Sequence, residues 1–170
     1  SSGIYLNTGG STAIPSASVS DAVIEENLAN GIGTSSPYLY ELIVTRSTIR
    51  NNGQNGIHMY AGTLDVTSSV FEGNAQSGIR TQSNASNVTV SGSSFINNGG
   101  YAAYLDLNGI FNSSGGNSGN GNWENGIALT GNLTANTTLA YSDTLTYIIP
   151  NAGLTVNSGV TLTVPAGQVI

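Results

Sequence analysis

The chain has 170 residues, a formal net charge of −6, three arginines as its only fixed cations, and no lysine or cysteine. So few cations argue against nucleic-acid binding, since affinity for nucleic acid depends on neutralising phosphates. The lack of cysteine excludes disulfides and thiolate metal sites. The length predicts one domain, and since no apolar run reaches membrane-spanning length, we expect no membrane insertion.

The first predicted element is a short strand at Gly3–Leu6, in which apolar residues alternate with Tyr5. A Ser/Thr/Ala-rich loop is predicted to follow over residues 7–20. After the next strands, Pro37–Tyr40 is predicted to form a second loop that leaves the coil and is rich in aromatic residues.

A repeated pattern organises the rest of the chain. Residues 42–57 align without a gap with residues 64–79. Both copies contain apolar-x-apolar, Ser, then Ile or Phe, an Asn three residues later and Gly-Ile four residues after that. Partial copies start the Gly-Ile strand at positions 3, 31, 56, 78, 102 and 126, which gives steps of 28, 25, 22, 24 and 24 residues. A variable period of this size is typical of a solenoid.

The apolar positions of the repeat predict two inward rows. Short strands of this kind can bury one face only by stacking on the equivalent strands of the next coil. The first row contains Ile24, Ile49, Phe71 and Phe95, and the second contains Ile4, Ile32, Ile57, Ile79, Ala103 and Ile127. Together they predict an apolar column along the axis of the solenoid.

An asparagine recurs at one bend of each coil, at Asn27, Asn52, Asn74 and Asn98. Asparagine tolerates the left-handed conformation and bonds to nearby backbone, so it suits a tight corner. Stacked amides can also bond to one another along the axis. We therefore predict a structural asparagine ladder.

These motifs resemble the right-handed parallel β-helix repeat of the pectate lyase-like superfamily. The resemblance covers residues from about Gly3 to Gly131. It implies an all-β solenoid with three sheets, about six or seven coils and an asparagine ladder, and it suggests an extracellular or cell-surface protein. Because this fold carries lyases, hydrolases, adhesins and inert shafts, the resemblance does not select an activity.

The C-terminal part of the chain has a different residue pattern. The Gly- and Asn-rich residues 109–122 are predicted to form a flexible loop or distorted turn, and Trp123 is predicted to pack over the coil edge. We assign residues 1–131 to the β-helix coils. Residues 132–170 form further strands that resemble the start of a β-helix unit in large secreted surface proteins. They are expected either to continue the stack or to fold over its end.

A possible ligand face follows from alternation along the Gly-Ile strands, which turns Tyr5, His58, Arg80 and Tyr104 outward. Such a stripe could stack against sugar rings, and the alternative is a solvated face. Possible glycosylation sites are the five N-x-Ser/Thr sequons at Asn84, Asn87, Asn112, Asn132 and Asn136. In a chain this rich in Asn, Ser and Thr, about as many sequons are expected by chance.

Catalytic chemistry is not predicted. Lyases and hydrolases with this fold use clustered acidic residues, whereas the nine acidic residues here are scattered over different positions of the coil. The repeat places Asp65 on a different strand from His58 and Arg80. We therefore expect no catalytic residues, no metal site and no cofactor.

The sequence favours a structural function. The first and last predicted strands have no polar cap, and unpaired strand edges recruit another strand unless they are covered. We expect the last coil of one molecule, or of a longer chain, to pair with the first coil of the next and to build a filament. The alternative is a carbohydrate-binding or polysaccharide-degrading β-helix module of a larger secreted protein.

Overall fold

The computed structural model describes residues 1–7, 14–35 and 39–170, and the side chains of all these except residues 83, 84 and 86. The described residues form β-strands joined by short corners and contain no helix. The strands are β1 (Ile4–Leu6), β2 (Ser16–Ser20), β3 (Val23–Glu25), β4 (Ile32–Thr34), β5 (Tyr40–Thr45), β6 (Thr48–Arg50), β7 (Ile57–Thr67), β8 (Val70–Glu72), β9 (Ile79–Ser91), β10 (Ser94–Ile96), β11 (Tyr101–Asn112), β12 (Ser118–Asn120), β13 (Glu124–Leu133), β14 (Thr137–Thr138), β15 (Thr146–Ile148), β16 (Leu154–Val156) and β17 (Leu162–Thr163).

All strand pairs are parallel and join each strand to its equivalent one coil away. A ten-stranded sheet follows the order β1-β4-β7-β9-β11-β13-β15, with β2, β5 and β16 paired beside this path. A five-stranded sheet contains β3, β6, β8, β10 and β12, and a third sheet pairs β14 with β17. We number the coils 1 to 7 from β1 to β15. The predicted fold class, an all-β parallel solenoid of about six or seven coils, is confirmed.

In coils 3 to 6 the Gly-Ile strand and the next strand are one continuous strand with a bend. In strand β7 the bend lies at a glycine, whereas the register partners in β9 and β11 are Ala85 and Leu107. Gly62 has a φ of 106°, and a Cβ placed there would lie 2.0 Å from the carbonyl oxygen of Tyr40 in coil 2. The bend divides each long strand into a Gly-Ile half and a second half, and it gives the large sheet two outward faces.

The apolar rows occupy the interior. Every member of the two predicted rows is buried except Ile4, which is partly buried because it belongs to the outermost coil. The Phe71 and Phe95 rings stack with centroids 5.1 Å apart and planes 9° from parallel. An offset ring stack of this kind adds to the stability gained from burial alone.

The asparagine corner has a two-residue design. The residue before each ladder asparagine has a positive φ of 52° to 69°, at Glu26, Asn51, Gly73, Asn97 and Gly121. The ladder asparagines themselves do not adopt the left-handed conformation that asparagine tolerates. The preceding residue turns the chain, and this leaves the asparagine amide free to bond along the axis.

The ladder is confirmed and is longer than predicted. Each amide nitrogen donates to the side-chain oxygen of the next coil, at 3.0 Å from Asn27 to Asn52, 2.9 Å from Asn52 to Asn74 and 3.0 Å from Asn74 to Asn98. A further rung joins Asn98 to Asn122 at 2.8 Å. Sequence analysis missed Asn122, although it precedes Gly126-Ile127 at the same spacing as the others.

A second column of side-chain acceptors lies at the opposite end of the five-stranded sheet. The backbone N–H groups of Ala22, Ser47 and Ser69 donate to the hydroxyls of Ser47, Ser69 and Ser93, each at 3.2 Å, and the N–H of Ser93 donates to Oδ1 of Asn117 at 3.0 Å. The preceding residue again has a positive φ, at Asp21, Arg46, Ser68, Gly92 and Gly116. We call this the hydroxyl column.

Several sequence expectations are corrected. Residues 16–20 are not loop but strand β2, which pairs with β5 along its length. The predicted loop at 109–122 contains the end of β11 and all of β12, because backbone pairing to β9, β10 and β13 does not need apolar side chains at each position. Trp123 does not pack over the coil edge and is 80% exposed. At Pro37–Tyr40, Tyr40 starts β5 and is buried, while residues 36–38 lie outside the described residues.

Residues 133–145 complete coil 6 and include β14. Strand β15 pairs in parallel with the start of β13, β16 with its end, and β17 with β14, so the residues from Thr146 onward form coil 7 of the same stack. The boundary assigned at residues 131 and 132 falls inside β13 and stays a prediction. Coil 7 has tight turns closed by Gly153, Val160 and Gln168, whose N–H groups donate to Pro150, Asn157 and Pro165.

Candidate functional site

The predicted ligand stripe lies in one column on the outward face of the Gly-Ile halves. Strand register joins Tyr5 to Gly33, Gly33 to His58, His58 to Arg80, and Arg80 to Tyr104. Because equivalent residues of paired strands are about 4.8 Å apart, the column presents one residue at each coil, and Gly33 leaves coil 2 without a side chain there. Tyr5 stands apart from the others, since Gly33 separates it from His58.

The side chains of coils 3 to 5 form a connected strip. The Arg80 guanidinium carbon lies 4.7 Å from the centroid of the Tyr104 ring. The His58 ring lies 5.2 Å from that of Tyr60, and the Tyr104 ring lies 5.4 Å from that of Tyr101 in an edge-on arrangement. We call these five residues the aromatic strip.

Sequence analysis missed Tyr60 and Tyr101. Tyr60 could have been found, because it is the next outward residue after His58 by alternation. Tyr101 could not, because the register between β11 and β13 shifts between Tyr101 and Ala103. That irregularity follows from backbone pairing, which the sequence pattern does not express.

The electrostatics of the strip centre on Arg80 and His58. Arg46 and Arg50 form salt bridges of 2.6 Å with Asp21 and Glu25, whereas Arg80 has no carboxylate partner among the described residues. Burial lowers the pKa of His58 and the charge of Arg80 lowers it further, against a hydrogen bond with Gln82 that raises it. The His58 ring nitrogen Nε2 lies 3.2 Å from Oε1 of Gln82. The strip therefore offers aromatic rings, a cation without a carboxylate partner among the described residues, and an imidazole whose lowered pKa favours the neutral form.

The other outward face, on the second halves of the long strands, carries hydroxyls and amides. Ser20, Thr45, Thr67 and Ser91 stack in register over coils 1 to 4. Three predicted glycosylation sites, Asn87, Asn112 and Asn132, are exposed on this face. Asn136 is also exposed, although its Oδ1 accepts the N–H of Thr161 at 2.9 Å, and the side chain of Asn84 lies outside the description. Glycosylation at these sequons stays a prediction.

Asp65 is placed differently from the prediction. It lies on the same continuous strand as His58, because β7 runs through the bend at Gly62. Register puts it between Ile43 and Thr89 on the second outward face, so it does not join His58 and Arg80. Its Oδ1 is buried and has no hydrogen-bond partner among the described residues.

Two further features bear on chemistry. A cavity of about 270 Å³ opens at the bend, lined by Ile14, Leu39, Tyr40, Glu41, Gly62 and Thr63. It offers apolar walls and one carboxylate, without an acid–base pair. In the part of the chain that the structure describes, no three His, Asp or Glu side chains are grouped closely enough to hold a metal ion.

Comparison with known proteins gives one match. Residues 1–141 match a family model described as a right handed beta helix region. Neither the curated proteins nor the solved structures include a significant match to the chain. The described residues also contain no helix that is long and apolar enough to cross a membrane.

Proposed function

Since the chain belongs to the right-handed β-helix family, we propose that it is a non-catalytic, extracellular structural protein whose end faces take further coils. Where copies of the chain are the only source of coils, they stack end to end into a filament. The family match by itself leaves activity open, because the same fold carries enzymes and inert shafts. The proposal therefore rests on the surface chemistry of the solenoid.

The observation that carries the proposal is the apolar surface of coil 7. Its inward residues Leu154 and Leu162 are only partly buried. By register, Leu107 and Ala85 are the equivalents of Leu154 in coils 5 and 4, and Thr137 is the partner of Leu162 in coil 6; all three are buried. Val169 and Ile170 are more than half exposed. Unpaired strand edges with apolar side chains bind another strand. A further coil on this face would bury these side chains and continue the three sheets.

Surface composition supports the extracellular, non-catalytic part of the proposal. The second outward face carries hydroxyls and amides in register, and its acidic residues do not converge with His58 or Arg80. A stack held by continuous backbone pairing and by two internal columns of side-chain hydrogen bonds is stiff. These properties suit a shaft or appendage better than a catalytic cleft.

Electron microscopy of the purified chain over a concentration series tests the filament. Seven steps of about 4.8 Å, counting the step to the next molecule, predict a repeat of about 34 Å per molecule. Val169→Lys places a charge on coil 7 and is expected to abolish fibres, whereas Trp123→Lys changes an exposed side chain away from coil 7 and is expected to preserve them. Monodisperse molecules at every concentration, or equal behaviour of the two variants, would contradict end-to-end stacking.

Surface labelling tests the proposed location. Antibodies against the chain are expected to bind intact cells of the source organism, and protease added outside the cells is expected to remove that signal. A cytoplasmic reporter protein that stays intact serves as the control. Antibody binding only after the cells are opened would contradict an extracellular location.

The aromatic strip supports carbohydrate binding as a second candidate function. Aromatic rings next to a cation present both a stacking surface and a polar group, as sugar ligands require. A glycan array followed by calorimetry with the best oligosaccharide tests it. Tyr104→Ala is expected to weaken binding at least about tenfold, and Tyr141→Ala, which removes an exposed ring in coil 6, is expected to leave it unchanged. No binding by the wild-type chain would exclude this candidate.

A further inference from the structure

The asparagine ladder has a direction. In each rung the backbone N–H and the amide nitrogen of one asparagine both donate to Oδ1 of the asparagine in the next coil. The amide nitrogen also reaches back to a carbonyl of the preceding coil, as Asn74 Nδ2 does to Ile49 at 3.1 Å. Each ladder asparagine therefore needs a donor and an acceptor from the coil before it.

Asn27 in coil 1 lacks both of these partners. Its Oδ1 accepts no hydrogen bond from the described residues, and its Nδ2 bonds to Glu25 O within its own coil at 3.2 Å. Asn52, one coil further on, receives the N–H and amide of Asn27 on its Oδ1 and donates to Ile24 O at 3.3 Å. The outer face of coil 1 thus presents an unused ladder acceptor.

The other end of the ladder is closed within the chain. Asn122 Nδ2 donates to Oδ1 of Asn125 at 2.8 Å, and Asn125 Nδ2 donates to the carbonyls of Gly119 and Thr144. The corner that would carry the next asparagine is missing. In coil 5 the chain takes 126 − 119 = 7 residues to pass from Gly119 to the next Gly-Ile strand at Gly126. Thr144 lies beside Gly119 and Thr146 beside Gly126, so the same connection in coil 6 takes only 146 − 144 = 2 residues.

The two end faces therefore differ in hydrogen bonding. The geometry points to a specific occupant for the outer face of coil 1: a parallel β-coil that carries asparagine at the ladder position, four residues before its junction with the Gly-Ile strand. This goes beyond the proposed function, which requires only that each end face takes some further coil. The hydroxyl column does not distinguish between possible occupants of this face, because Ala22, its first member, has no side-chain oxygen that could accept a hydrogen bond from a preceding coil.

Coil 7 of another copy matches this face less well. Its described residues supply no asparagine at the ladder corner, and the N–H of Gln168 is already bonded within its own turn. Stacking through coil 7 would enclose Oδ1 of Asn27 without a donor, and a buried acceptor without a partner is unfavourable. Copies stack in this way only where no asparagine-bearing coil competes.

The test adds a coil that the chain already contains. A second copy of residues 78–99 placed directly before Ser1 puts the duplicated Asn98 four residues before Gly3, as Asn27 precedes Gly31. The matched control is the same fusion with Asn98→Ala in the duplicated copy alone. The readouts are the urea midpoint and the hydrogen exchange of the Tyr5 amide. Because Ile4 N–H donates to Gly31 in coil 2, alternation turns the Tyr5 N–H toward the added coil.

We expect slower Tyr5 exchange in both fusions, with the asparagine fusion exchanging about tenfold more slowly than its alanine control and unfolding at a higher urea concentration. Equal exchange and equal midpoints would overturn the amide preference, and unprotected Tyr5 in both fusions would overturn docking itself. Protection of Tyr5 in the wild-type chain that is lost on dilution would show that a second copy is the occupant. Fibre formation by the wild-type chain is scored separately, so failure of the filament leaves this test intact.

Discussion

The side-chain amide of Asn98 donates to Oδ1 of Asn122 at 2.8 Å, and Asn122 donates in turn to Phe95 O at 2.9 Å. This pair extends the ladder through coil 5, where the sheet sequence is rich in glycine and polar residues. Side-chain hydrogen bonds at the corner therefore maintain the stack where apolar packing is weakest.

Removing a central rung is expected to destabilise the whole solenoid. Asn74→Ala deletes an amide that is fully buried and bonded to Asn52, Asn98 and Ile49, and it leaves their buried polar groups without partners. We expect a loss of about 2–4 kcal/mol in the free energy of unfolding, measured by urea denaturation. Asn108→Ala, at an exposed position of β11, is the control and is expected to change it by less than about 0.5 kcal/mol. Similar losses in the two variants would argue against a structural ladder.

Gly62→Ala tests the bend in strand β7. The added Cβ would collide with the carbonyl of Tyr40, and the φ of 106° is unfavourable for alanine. Gly115→Ala separates these effects, because Gly115 has a φ of 91° and no heavy atom within 4 Å of an added Cβ. We expect Gly115→Ala to cost about 1–2 kcal/mol and Gly62→Ala to cost more than that, as measured by thermal or urea unfolding. Equal costs would show that the bend can move away from Tyr40.

The Asp21–Arg46 pair predicts a pH dependence on the acid side. Hydrogen bonds from Arg46 hold the pKa of Asp21 below its ordinary value of 3.8, and the charge of Arg46 acts in the same direction. The pair therefore stabilises the fold above pH 3.8, and this contribution is lost as the pH falls through the lowered pKa. In Arg46→Gln the Asp21 carboxyl is expected to titrate near its ordinary pKa, as followed by NMR. Arg50→Gln is expected to leave the pKa of Asp21 unchanged, and an unchanged pKa in Arg46→Gln would contradict the assignment.

His58 gives a direct probe of the aromatic strip, because it is the only histidine in the chain. Burial lowers its pKa below 6.5, and Arg80 contributes in the same direction. The folded state thus favours neutral His58, and stability declines as the pH drops below about 6.5 toward the lowered pKa. In Arg80→Gln the NMR titration of His58 is expected to move up, whereas in Arg50→Gln, on the other sheet, it is expected to stay in place. An unchanged pKa of His58 in Arg80→Gln would mean that the two side chains are not neighbours in solution.

Much of the fold follows from local pattern. The spacing of Asn52, Gly56 and Ile57 and its recurrence one coil later determine the coil, the inward rows and the ladder. These features depend on which residues face inward and which turn a corner, and both are set by side chains close together in the chain.

Tertiary structure decided the features that depend on stacking. Residues 118–120 form a strand although their sequence predicts a loop, because the neighbouring coil offers backbone groups that can pair with any sequence. The ladder ends at Asn125 because coil 6 lacks a corner, which only the register of Gly126 with Thr146 reveals. The strip of Tyr60, Arg80 and Tyr104 likewise depends on register between coils. Sequence determines what each coil contains, whereas the alignment of one coil on the next determines which side chains meet, because backbone hydrogen bonding sets that alignment across about 24 residues of chain.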